Sequence, residues 1–133
     1  MQTFPSDVVT WGSRMLTGAG IPTPGAVYAI HLVVPSESGR PFRAGAALGA
    51  LTGIPTPAGR IPLDPDALLL ISLTNPAMFR GFAGLLDATG TATMTLAIPH
   101  APGLRGLRFF VAALTYGPAG IRRITEPLGI LVE

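Results

Sequence analysis

The sequence predicts an all-β sandwich, of the jelly-roll or immunoglobulin-like kind, with Greek-key-like connections between about seven to nine short strands. Three observations carry this. Thr91–Ile98 alternates: Ala92, Met94, Leu96 and Ile98 point one way, and Thr91, Thr93, Thr95 and Ala97 the other, which is the period of a half-buried strand. The 17 glycines and 14 prolines cut the 133 residues into short apolar runs separated by turn signals. No segment sustains a long helical pattern. The length suits a single domain over 1–133.

Taken in order, Met1–Asp7 is polar, contains Pro5 and is expected to be a flexible or partner-contacting arm. Val8–Leu16 reads as a strand carrying Trp11, with Gly12 at a bulge, and Thr17–Gly25 as a loop. Ala26–Val34 is a firm strand, with Tyr28, Ile30, Leu32 and Val34 on one face and Val27, Ala29, His31 and Val33 on the other. Both faces are largely apolar, as in a strand covered on two sides or one whose outer face meets another chain. Pro35–Arg43, which contains Phe42, is expected to be a loop. Ala44–Leu51 is expected to be a strand or irregular, because three nearby glycines disfavour a helix.

Gly20–Gly25 returns in similar form at Gly53–Gly59, which fits two proline-braced loops at strand ends. Arg60–Leu63 suits a short strand. Asp66 can cap one helical turn over Ala67–Leu69, after which the unbroken apolar Leu68–Leu73 reads as a buried strand. Phe82–Leu86 and Thr91–Ile98 are expected to form a hairpin about Asp87-Ala88-Thr89-Gly90, with Gly90 at positive φ. Leu107–Tyr116, which holds Phe110, is the most central strand by composition. Ile121–Thr125 and Leu128–Val132 close the chain, with Pro127 marking an edge or bulge.

Ile61-Pro62-Leu63-Asp64-Pro65-Asp66, Ser72-Leu73-Thr74-Asn75-Pro76, Gly81–Thr93, Ala97-Ile98-Pro99 and Gly106-Leu107-Arg108-Phe109 follow one another in order. Over roughly Gly25–Glu133 this pattern resembles an uncharacterised β-sandwich domain found near the C-termini of secreted proteins of planctomycetes and similar bacteria. The resemblance implies a sandwich fold and an extracellular or cell-surface setting, and it brings no catalytic residue. Met1–Trp11 has neither a basic start nor an apolar h-region, so the chain itself reads as cytoplasmic or as a mature form.

Charged residues make up only 12% of the chain, about half the usual share, and mean hydropathy is +0.50. The longest strongly apolar stretch, Ala67–Leu73, is far too short to cross a bilayer as a helix. With no cysteine, neither disulfides nor thiolate metal sites can form. None of the five serines has a nucleophile-elbow setting, and His31 and His100 lie far apart in sequence, so no enzyme is predicted. No cofactor is expected. Asp64, Asp66, Asn75 and Asp87 are a weak oxygen set for Ca²⁺, each with a turn or cap role to fill. Arg105, Arg108, Arg122 and Arg123 are a candidate basic patch, but nucleic acid is a poor partner without stacking aromatics.

The favoured reading is a structural module that self-associates through apolar β-surface into a fibre, shell or surface layer, its partner being itself. The alternative is a carbohydrate-binding accessory module of a secreted protein, with exposed aromatics as a platform for polysaccharide. The candidate interaction residues are Trp11, Tyr28, His31, Phe42, Phe110 and Tyr116.

Overall fold

The computed structural model describes residues 15–133. It is an all-β sandwich with one short helix. One sheet holds β1 (Leu16–Ala19), β2 (Val27–Val33), β8 (Thr91–Ala97) and β6 (Phe79–Arg80), in that spatial order. The other is centred on β9 (Arg108–Gly117) and β3 (Pro41–Ala47), with β7 (Ala83–Leu85) beyond β3 and both β10 (Gly120–Ile124) and β11 (Leu128–Leu131) on the far side of β9. A small hairpin, β4 (Ile54–Thr56) with β5 (Gly59–Ile61), and α1 (Ala67–Thr74) lie between β3 and β6 in the chain. All strand pairs are antiparallel. The expected Val8–Leu16 strand and the 1–7 arm lie outside the described residues, apart from Met15 and Leu16. Thr17–Ala19, expected as loop, are strand because they pair with Ala29–His31.

The alternation in β2 and β8 sets the core. Ile30, Leu32, Met94 and Leu96 point inward and are buried, and Phe42, Ala44, Phe109 and Val111 meet them from the other sheet. Phe79 and Phe82 meet edge to face, with ring centroids 5.2 Å apart, a favoured aromatic geometry. β9 has three partners and is the centre of its sheet, as its composition predicts.

The Asp87–Gly90 turn forms with Gly90 at φ +77 and Asp87 Oδ1 accepting from the Thr89 and Thr91 N–H groups at 2.9 Å. It is an arch between sheets rather than a hairpin. β7 pairs with β3, whereas both edges of β8 are taken by β2 and β6. Pro127 falls between β10 and β11, which share one edge of β9. At that break Thr125 occupies the edge: its N–H donates to Ala113 O at 2.8 Å and its Oγ1 accepts from Ala113 N at 2.9 Å. The proline, lacking an N–H, sits where the ladder is already interrupted.

Leu68–Leu73, expected as a strand, is helix. Asp66 caps it as predicted, accepting from Leu69 N at 3.1 Å, but the helix continues to Thr74. An unbroken apolar run does not distinguish strand from helix, and leucine favours the helix once an N-cap is present. Asn75 ends α1 because the following Pro76 disfavours helical φ/ψ there. The helix packs on the outer face of β3 over Gly45, where an added Cβ would meet Leu69 and Ser72. Ser72 is buried, and its Oγ accepts from Ala46 N at 3.0 Å, beyond the end of β7 where the β3 edge would otherwise be unpaired.

Glu37 is the one buried carboxylate among the described residues. Its Oε1 accepts from Arg122 Nε at 2.8 Å and Thr115 Oγ1 at 2.9 Å. The Arg122 hydrogen bond holds its pKa below the ordinary 4.5, helped by Thr115 and by the charges of Arg122 and Arg40, while burial opposes them. A lowered folded-state pKa means a stabilisation complete above pH 4.5 and lost as pH falls through the lower folded value. The melting temperature is therefore expected to drop on acidification from pH 5 to 3 (about the carboxylate range), with a smaller drop in Glu37→Gln. Parallel thermal-melt profiles for the two proteins would refute the assignment.

Candidate functional site

The outward face of the four-stranded sheet follows from the strand register. Val33 stands opposite Thr91; Thr17, His31 and Thr93 form the next row. Ala19, Ala29, Thr95 and Arg80 form a third row, and Val27 faces Ala97. These eleven side chains include no carboxylate and a single permanent charge, Arg80 at the β6 edge. An ordinary exposed surface carries roughly a quarter to a third charged residues. Val27 is 70% exposed and Val33 40%. The side chains are short, so the face is low in relief, and His31 Nδ1 lies 3.2 Å from Thr93 Oγ1 within it. Among the described residues no strand pairs with the outer edge of β1, whose Thr17, Gly18 and Ala19 lack the proline or charge that usually protects a sheet edge.

The candidate residues do not converge. His31 is on this face. Tyr28 points the opposite way into the core, its hydroxyl beside Gly18 and its pKa raised by burial. Phe42 is a correction: expected in a loop, it lies in β3 and is 3% exposed, because Phe42, Ala44 and Ala46 alternate inward. Phe110 is half-buried on the outer face of the other sheet, against Leu63 and Gly129. Tyr116, farther along that strand, is 41% exposed and is the only exposed aromatic among the described residues. Trp11 lies outside them. A planar aromatic platform for sugar is not assembled by the described residues.

The four arginines do not form one patch either. Arg108 pairs with Leu131 at one end of β9, and Arg123 stands opposite Thr115 toward the other. Seven residues of strand separate these positions by about 23 Å. Arg122 is held by Glu37.

The proposed oxygen ligands are each engaged locally. Asp64 Oδ1 accepts from Thr52 and Gly53 N–H groups, and those bonds lower its pKa. Asp66 accepts from Leu48 and Leu69, and Asn75 from Met78. Asp87, its pKa lowered first by the Thr89 hydroxyl, serves its own turn.

Sequence reasoning missed an apolar cleft of about 210 Å³ at the end of the sandwich where β8 finishes. Five stretches of chain build it, including α1 and the loop leading into β9, so no local pattern announces it. No helix among the described residues is long and apolar enough to cross a membrane. No family model, curated protein or solved structure matches the chain.

Proposed function

We propose that this protein is a non-catalytic assembly module that self-associates through the outer face of its four-stranded sheet, as a subunit of a fibre, shell or exported surface layer. The near absence of charge on that face carries the reading. Packing two such faces costs little charge desolvation and removes Val27 and Val33 from water.

Four strands at their usual spacing and seven residues of rise give a patch of roughly 19 by 23 Å. That is about 440 Å² per copy, below the roughly 800 Å² of a standard interface. One pairwise contact is therefore weak. Stable assembly needs each copy to use a second contact, and the β1 edge, which no described strand covers, supplies one by strand addition.

Sedimentation velocity tests this. Association is expected to rise with protein concentration, and Ala29→Glu with Thr93→Glu is expected to leave only monomer at an unchanged melting temperature. A wild-type chain that stays monomeric when concentrated, or a double variant that assembles normally, would sink the proposal.

A further inference from the structure

The cleft runs from a partly exposed rim at Ile71 and Leu107 down to buried Phe79, Leu96, Phe109 and Val132. Its walls present no polar surface. Apolar walls offer water no hydrogen-bond partner, so an apolar ligand seated against them is favoured by the surface it removes from water. Apolar cavities of about 150 Å³ accept benzene. In proportion, about 210 Å³ accommodates on the order of eight carbons.

Of the basic residues in the lining segments, Arg80 alternates with Phe79 onto the outer sheet face and donates to Ala77 O, and Arg108 alternates with Phe109, which leaves Arg105 as the cation of the rim loop. Arg105 is exposed and lies between Leu104 and Leu107, both of which line the cleft. On the acidic side stands the terminal Glu133; Asp66, near Leu68, is engaged by the Leu48 and Leu69 N–H groups.

We propose that the cleft binds the alkyl chain of a free medium-chain carboxylate, with the carboxylate at the rim near Arg105. This site lies between the sheets and is separate from the assembly face. A single chain of about eight carbons fills it, and a two-chain lipid does not fit.

Calorimetric titration of the intact chain with hexanoate, octanoate, decanoate and dodecanoate, below their micelle concentrations, tests the proposal. Each added methylene buried should tighten binding roughly fourfold, and the gain should stop near decanoate. Leu107→Glu, at the rim, should abolish octanoate binding. Arg105→Glu should weaken octanoate several-fold and leave octan-1-ol unchanged. The proposal is overturned by no saturable octanoate binding, whether because the cleft stays dry or because another part of the chain or a second copy fills it. It is overturned equally by affinity that climbs through dodecanoate without a plateau, by octanoate binding that both variants leave intact, or by sedimentation with phosphatidylglycerol vesicles in place of octanoate uptake. Monomeric behaviour in sedimentation bears on the assembly reading alone.

Discussion

Gly90→Val is expected to destabilise the protein by at least about 3 kcal/mol, a large share of the roughly 5–15 kcal/mol available to a domain. Two costs combine. The position has φ +77, where an L-residue loses about 1–2 kcal/mol and a β-branched one more. An added Cβ would also lie 2.7 Å from Val34 C and 2.8 Å from Pro35 Cα. Those are backbone atoms with no rotamer to yield. They are fixed in place because Val34 N donates to Gly90 O at 2.7 Å, joining the start of β8 to the end of β2. Gly39→Val isolates the first cost, since Gly39 has φ +74 but nothing within 4 Å of an added Cβ. Urea denaturation should therefore rank wild type above Gly39→Val, and Gly39→Val well above Gly90→Val. Equal midpoints for the two variants would mean that the arch moves freely and that the crowding costs nothing.

That position was legible in the sequence, and the reason marks what else was. An Asp followed three residues later by Gly, before a strongly alternating strand, specifies a turn chemistry that holds whatever the strands pair with. In Ala26–Val34 alternation separates the side of Tyr28, Ile30 and Leu32 from that of His31, but with both sides largely apolar it does not say which is buried; the structure buries the first. Nor does alternation identify the neighbour. β7 and β8 adjoin one turn yet join different sheets, because pairing is decided by which edges remain free. Phe42 was hidden by Arg40, Pro41 and Arg43, whose polar or loop-like character masked the inward alternation continuing to Ala46. The outer face of the four-stranded sheet was half legible: the threonines of β8 and the apolar outer side of β2 are visible separately, but their union into one surface of low charge needs the register. The cleft needs five stretches of chain brought together and left no trace in any of them.

Leu63→Ala is expected to have the second large effect, and a spatially uneven one. Leu63 is 2% exposed and anchors a small cluster of its own, with Ala47 and Ala112 beneath it and Ile61, Leu69 and Phe110 around it. Truncating a buried leucine costs about 2–5 kcal/mol, more where the surroundings cannot collapse. Alanines on two sheet strands cannot reach into the gap, which places this site toward the upper end. The loss falls on the segment from β4 through α1, which lies over the outer face of the five-stranded sheet. What else holds that segment is Leu68, which packs against the main core, and a few hydrogen bonds: Ser72 to Ala46 N, Asp66 to Leu48 N, and Arg43 Nη2 donating to Leu73 O at 2.8 Å. Leu63 itself belongs to the small cluster and not to the main core between the sheets. Amide exchange in α1 and residues 48–66 should accelerate by roughly 30- to 4,000-fold, the equivalent of that free energy if the segment opens by itself. Amides of β2 and β8 should change far less. If they accelerate as much as those of α1, the helix opens only together with the sandwich, and the two clusters form one cooperative unit.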